Sequence, residues 1–331
     1  MAPWRAGVLS IHGDPPKMGL QDSDLLDRSV DYVKDSPMPI MQVSDIEIYY
    51  ETFGNPDHEA LLLVNGLGTQ AVGYEVEFCE ALSSIGLHVI RFDNRDVGLS
   101  THIDADPPDV FEALAAVMAG GDVNAAYTLS DLAADAAGLL DGLGIGSAHV
   151  LGSSMGGMIV QTMAIETPSK VRTVTSVMST TGEREYGMPD PECLQGLAAI
   201  MVPAETREER IESGIALQKL IGTPGTWDPE RVRARVAEQV DRSFDPDGTA
   251  RQMIAILASG SRAEGLAEVD LPMMVLHGDA DRLVDISGGR RTAELVRDAE
   301  FRLMEGMGHD LPPEYWQRIG DAVAAVTGKE R

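Results

Sequence analysis

The chain has only two cysteines, Cys79 and Cys193, among 331 residues. That is too few for a disulfide framework, and their isolation gives no zinc-ligand spacing, so both read as buried thiols. Basic residues are scarce: 26 Lys and Arg stand against 53 Asp and Glu, a formal net charge of −27. Such an excess argues against nucleic acid or an anionic membrane surface as partner and reads as a solubility device. No apolar run approaches the roughly 18 to 20 residues of a membrane span. The opening MAPWRAGVLSIHGDPPKMG lacks the form of a signal peptide, because Gly7, Ser10 and His12 break its short apolar stretch. The expected location is therefore cytoplasmic. There is no Asn-x-Ser/Thr sequon, no low-complexity tract, no internal repeat, no metal-ligand spacing and no phosphate-cradling glycine loop. No cofactor and no metal are expected.

What is present is a 44% hydrophobic chain, long enough for one large α/β domain carrying an insertion. Residues 1–38, rich in Asp, Pro and Gly, read as an irregular arm or tail with one short helix around 22–34. From residue 39 the pattern changes. MQVSDIEIYYETFG suggests a hairpin about Ser44 and Asp45. Apolar runs at 60–64, 87–93, 148–152 and 171–179 read as strands. The stretches 71–84, 129–144 and 155–168 read as helices, the second capped by Thr128 or Ser130. Strands without strict alternation, each followed by a helix, imply a parallel sheet covered on both faces. The alternation then stops. Residues 183–262 hold charged, amphipathic stretches punctuated by Pro189, Pro203, Pro224 and Pro246, and read as an inserted helical cap. Alternation resumes over 263–331, with a strand at 273–278, a helix at 287–298, a strand at 301–304 and a last helix near 313–327. The core is thus expected in two parts, 39–182 and 263–331.

Gly152-Ser153-Ser154-Met155-Gly156 is the only G-x-S-x-G segment in the chain, and it lies between a strand and a helix. A serine on such a tight turn projects its hydroxyl out of the fold, and the flanking glycines remove steric obstruction. The helix N-terminus behind it favours negative charge developing in a transition state. Ser154 is the candidate nucleophile. Ser153 occupies the first variable position and points elsewhere.

On these residues the chain resembles the α/β-hydrolase superfamily over about residues 40–327. More narrowly, GLHVIRFDNRDVGLST at 86–101, GSSMGG at 152–157, the strand ending in HGDAD and GMGHDLP at 306–312 are similar to bacterial esterase-like members, aclacinomycin-type anthracycline methylesterases among them. The resemblance implies an α/β-hydrolase fold: an eight-stranded, mostly parallel sheet with helices on both faces and a helical cap over the C-terminal strand ends. It also implies the chain order Ser, acid, His. Of the seven histidines only His277 and His309 follow Ser154. His277, at a strand end, is expected to shape its turn. His309, flanked by Gly306, Gly308 and Pro312, is the expected general base. The family pattern places the acid three residues after the strand-end glycine, at Asp281, which leaves Asp279 and Asp285 to bond turn backbone or face solvent. The oxyanion donors implied are the backbone N–H groups of Met155 and of Leu67, the latter in Asn65-Gly66-Leu67-Gly68, where many relatives have His-Gly. Arg95, in FDNRDVGLS, is expected to brace neighbouring loops. Met155, Met158, Met178, Met188 and Met201 read as core more than pocket.

The expected activity is hydrolysis of a small-molecule carboxylic ester through an acyl-enzyme. Three alternatives use the same scaffold: a carbon–carbon bond hydrolase of ring-cleavage products, a cofactor-free haloperoxidase or perhydrolase, and a non-catalytic ligand-binding member. Dehalogenases and epoxide hydrolases are disfavoured, because both use Asp where this chain has Ser154.

Overall fold

Eight strands form one sheet in the order β1-β2-β4-β3-β5-β6-β7-β8 in the computed structural model, which describes residues 39–200 and 204–329. The strands are β1 (Ile40–Val43), β2 (Ile46–Phe53), β3 (Glu59–Val64), β4 (Leu87–Phe92), β5 (Ala148–Ser153), β6 (Val171–Val177), β7 (Met273–Gly278) and β8 (Glu300–Met304). β1 and β2 form the expected hairpin, and β2 joins β4 antiparallel. Every other pairing is parallel. The turn between β1 and β2 puts Ser44 at φ 50°, the left-handed region a tight hairpin requires.

Alternation along the inner strands sends successive side chains to opposite faces. On one face Leu62, Val64, Ile90, Val150, Val174 and Val275 pack against α3 (Leu129–Gly142) and α4 (Met155–Glu166). On the other, Leu61, Leu63, Val89, Leu151, Val177 and Leu276 pack against α1 (Val76–Ser83) and α11 (Pro313–Thr327). A strand that must be apolar on both faces reads as a continuous run, which is why ALLLV and MMVLHG show no period. Thr128 is the cap of α3, and the Asp131 side chain reaches back to its N–H at 2.7 Å. One helix falls where the sequence suggests nothing: α2 (Val110–Met118), whose Asp109 cap accepts from the N–H groups of Phe111 and Glu112.

Between β6 and β7 the described residues contain helices and no strand: α5 (Pro191–Ile200), α6 (Arg207–Ile221), α7 (Pro229–Arg242), α8 (Pro246–Ser259) and the short α9 (Ala263–Ala267). Their starts are written in the sequence. Thr206 and Glu209 make a capping box, and Asp228 and Asp245 each cap a helix with proline at its first position. Pro246 therefore opens a helix instead of interrupting one. α10 (Ser287–Leu295) lies between β7 and β8 and ends earlier than the pattern suggests. Among the described residues no helix is long and apolar enough to cross a membrane. Cys79 and Cys193 are free and buried. Met155, Met158 and Met178 are buried, while Met188 is half exposed. The helix suggested at 22–34 and Met201 lie outside the described residues.

Candidate active site

Four segments that leave the C-terminal ends of strands converge. β5 runs into Ser154, β7 into Asp281, β8 into His309, and β3 into Asn65–Gln70. β3 and β5 are neighbours although β4 lies between them in the chain, so the strand order reverses here. Such a reversal point opens a crevice at the strand ends of an open α/β sheet.

Ser154 sits at φ 56° and ψ −119°, a strained conformation for a residue with a side chain. Its surroundings over-determine it. Its N–H donates to Val177 O at 2.9 Å, and its carbonyl accepts from Ser179 Oγ at 2.8 Å. Gly152 and Gly156 must be glycine: a Cβ on the first would lie 2.1 Å from Gly156 O, and on the second 1.9 Å from Val64 O. The Ser153 hydroxyl turns away and donates to Tyr74 Oη at 3.0 Å, while the single Tyr74 proton goes to Val64 O at 2.9 Å.

His309 Nε2 lies 2.9 Å from Ser154 Oγ, and His309 Nδ1 lies 2.7 Å from Asp281 Oδ2. An ionised carboxylate only accepts, so Nδ1 carries the proton and Nε2 is left to accept from the serine hydroxyl. The other Asp281 oxygen, Oδ1, accepts from the N–H groups of Leu283 and Val284, each at 2.9 Å. His277, expected to shape its turn, does more. Its Nε2 donates to Val284 O at 2.9 Å and lies 3.3 Å from Asp281 Oδ2. Burial alone raises the Asp281 carboxyl. The facing His309 and His277 and their hydrogen bonds outweigh it and hold its pKa below the ordinary carboxylate range. Asp279 is exposed and accepts from Gly306 N–H at 2.6 Å, across to the β8 loop and not within its own turn. Asp285 accepts from Ser287 N–H in its own turn.

The loop Asn65–Gln70 lies against Ser154: a Cβ on Gly66 would come 3.2 Å from Ser154 Cβ. Asn65 spans the loop by donating to Gln70 O at 2.9 Å. Met155 opens α4, so its N–H has no acceptor within the helix. Among the described residues the Leu67 N–H also has no protein acceptor.

The charged segment 92–100 is bound into the fold. Arg95 holds Asp135 through two hydrogen bonds of 2.6 Å. Asp93 accepts from Ala71 N–H and pairs with Arg242 at 2.7 Å. Arg251 grips Asp96 through two 2.9 Å bonds. The fold also gathers Asp96, His102 and Asp245, whose potential ligand atoms lie within 4.8 Å of one another. Arg251 bonds both carboxylates and supplies the positive charge there.

The helical insertion contributes contacts that no motif announces. Ile221 O accepts from His309 N–H at 2.8 Å. Thr223 Oγ1 accepts from Gly308 N–H at 2.9 Å and donates to Asp310 at 2.5 Å. Gln252 Oε1 accepts from Gly68 N–H at 2.9 Å. The His277–Asp281 spacing in HGDAD carries a signal, since both follow from one strand end. Thr223 and Gln252 carry none, because their partners are remote in the chain.

Comparison with known proteins gives the same picture. A family model described as alpha/beta hydrolase fold matches residues 59–314. Rhodomycin D methylesterase DnrP of Streptomyces peucetius is 28% identical over 312 residues, 88% of this chain and 98% of its own length. A 2-hydroxy-6-oxononadienedioate/2-hydroxy-6-oxononatrienedioate hydrolase of Burkholderia vietnamiensis is 24% identical over 288 residues, 85% of this chain and 90% of its length. The solved structure of an enol-lactonase from Burkholderia xenovorans LB400 matches with a TM-score of 0.69 at 21% identity, covering 88% of this chain and 100% of that one. The methylesterase match agrees with the resemblance carried by the motifs.

Proposed function

The chain belongs to the α/β hydrolase fold family, and from that premise we propose that it is a serine hydrolase of small-molecule carboxylic esters. One observation carries the reading: a continuous hydrogen-bonded line from Ser154 Oγ through the His309 ring to Asp281. In this reading Ser154 is the nucleophile, His309 the general base and Asp281 the group that fixes its tautomer. The serine proton moves to His309 Nε2 as Oγ bonds the ester carbonyl carbon. The carbonyl electron pair moves to oxygen, where the N–H groups of Leu67 and Met155 receive it. Collapse of the intermediate breaks the ester C–O bond, and the departing alkoxide takes the proton from Nε2. Water then gives a proton to His309 and attacks the acyl carbon, and Ser154 leaves reprotonated. The products are an acid and an alcohol.

The insertion over residues 183–262 acts as the cap in this reading. It shapes the substrate side and supplies no triad member. The relative named rhodomycin D methylesterase makes a methyl ester the first substrate to offer, with methanol as leaving group. A second reading, carbon–carbon bond hydrolysis, draws on the relative named 2-hydroxy-6-oxononadienedioate hydrolase.

The deciding experiment is turnover of a panel holding methyl esters, longer alkyl esters, a ring-cleavage dienoate and a peroxide substrate, with Ser154→Ala as control. Ester turnover is expected to dominate. Ser154→Ala is expected to keep its circular dichroism spectrum and to lose roughly 10⁴-fold or more in kcat. Dienoate turnover above ester turnover moves the protein to the second reading. Near-normal ester turnover by folded Ser154→Ala would falsify the mechanism.

A further inference from the structure

The loop that carries Leu67 is held by two kinds of partner. From the core, Asn94 Nδ2 donates to Asn65 O at 3.2 Å and Asp93 accepts from Ala71 N–H at 2.6 Å. From the insertion, Gln70 Nε2 donates to Gln239 O and Ser243 O at the end of α7, each at 2.8 Å. A further contact, to the residue that follows Leu67, is made by α8. Gln252, with no solvent exposure, accepts from Gly68 N–H at 2.9 Å and donates to Arg95 O at 2.8 Å. One partner can only donate and the other can only accept, so the amide orientation is fixed and both ends are used.

We propose that Gln252 is a positioning residue for the oxyanion site, through which the helical insertion sets the direction of the Leu67 N–H. The inference rests on the reading of Leu67 as an oxyanion donor. Gly66 O accepts from Thr69 N–H at 3.2 Å, which sets the peptide plane that carries the Leu67 N–H. Gln252 holds the next plane at the Gly68 N–H, and Thr69 Oγ1 holds the other end of that plane by donating to Leu67 O at 3.3 Å. The two planes bracket the Leu67 backbone dihedrals. Without Gln252 the Gly68 N–H loses its acceptor beside α8, where a Cβ on Gly68 would already lie 3.1 Å from Thr249. It can recover a partner only by turning a plane that shares its Cα with the Leu67 donor. A side chain on α8 thus acts on the transition state without touching the substrate.

The test uses the full-length protein. Gln252→Leu removes both bonds, and Gln252→Asn shortens the amide so that it cannot span both partners. Each is measured for kcat per titrated active site, for KM and for the Ki of a trifluoromethyl ketone that forms a tetrahedral adduct. Expected are a loss of roughly 10- to 100-fold in kcat, somewhat less than loss of a whole oxyanion donor, with KM within about twofold and Ki raised by the same factor as kcat falls. Gln252→Glu, which keeps an acceptor for Gly68, is expected to retain more kcat than Gln252→Leu. A structural role alone lowers the melting temperature and leaves kcat per site and Ki unchanged, and that result overturns the proposal. Labelling of wild-type Ser154 by a fluorophosphonate separates the two readings. No labelling sinks the serine-hydrolase reading itself, whereas labelling with an unaltered Gln252→Leu sinks this inference alone.

Discussion

Ser154 and His309 meet at 2.9 Å, yet the chain fixes them by opposite means. Everything that holds Ser154 belongs to the core: its own strained backbone, the crossing of Gly152 and Gly156, and bonds to Val177 and Ser179. The His309 loop starts the same way. Met307 N–H donates to Met304 O, Met307 O accepts from Ala280 N–H, and Gly306 N–H donates to Asp279. From Gly308 onward the partners change. Gly308, His309 and Asp310 all bond residues 221–223, at the end of α6 in the insertion. Ser154 is thus pre-set by the sheet, while His309 is aimed jointly by sheet and insertion. Changes confined to the core should act through chemistry, and changes in the insertion should act through alignment.

The largest effect that probes this contrast lies on the core side, at Asp281. In Asp281→Asn the amide oxygen can keep the Leu283 and Val284 N–H bonds, which turns the NH₂ toward His309 Nδ1. The imidazole must then accept at Nδ1 and carry its proton on Nε2, where it can no longer take the serine proton. Expected is a loss of roughly 10²- to 10⁴-fold in kcat with little change in KM. The same residue has a signature in stability. Its folded-state pKa is depressed, so its contribution is complete above the unfolded carboxyl value of about 3.9 and is lost as pH falls toward the folded value. Urea melts of wild type and Asp281→Asn should therefore converge as pH falls below about 4. Full turnover by the folded variant removes Asp281 from the mechanism.

A smaller effect is expected from the insertion side, at Thr223. Thr223→Val keeps the shape but leaves Gly308 N–H without an acceptor and takes one donor from Asp310, whose carboxyl burial already pushes up. An unsatisfied buried N–H costs about 1–3 kcal/mol. The loop can relieve that only by moving, and a base displaced by a fraction of an ångström loses alignment. Expected is roughly a tenfold loss in kcat, with fluorophosphonate labelling of Ser154 slowed and the Ser154 turn itself unchanged. If Thr223→Val lowers only the melting temperature, His309 is aimed by the core alone and the contrast between it and Ser154 collapses.

The same contrast explains what the sequence discloses. Ser154 is legible because its turn leaves one pattern in consecutive residues, a strand, a five-residue turn and a helix, even though its bonds reach Val177 and Ser179. The sheet is legible because burial on both faces forces continuous apolar runs. Asp281 is singled out from Asp279 only by the family pattern, since either follows the same strand end. Thr223 and Gln252 are silent because hydrogen bonds between remote segments leave no period and no spacing. The helix over 110–118 is different: Asp109 ahead of an apolar stretch is a start signal of the usual kind, but the stretch is largely exposed, with Phe111 and Met118 more than half accessible, so it lacks an apolar–polar pattern to read.

The smallest expected effect is the one that separates the two neighbouring carboxylates. Asp279 and Asp281 leave the same strand, but they spend their oxygens differently. Asp281 is buried and divides its oxygens between His309 and two backbone N–H groups. Asp279 is exposed and tethers Gly306, a residue held at φ 78° in the turn after β8. That turn has a second tie, from Tyr315 Oη to Glu305 O at 2.8 Å, so it does not depend on Asp279 alone. Asp279→Ala should therefore cost about 1 kcal/mol, the worth of one ordinary hydrogen bond, and leave kcat within about twofold. Asp279→Asn keeps an oxygen for the Gly306 N–H and should cost less still. Thermal melts and ester turnover of both variants, beside Asp281→Asn, give the comparison. If Asp279→Asn instead abolishes turnover while Asp281→Asn is tolerated, the acid role passes to Asp279, and the His309 tautomer must be set through a path other than the 2.7 Å contact with Asp281.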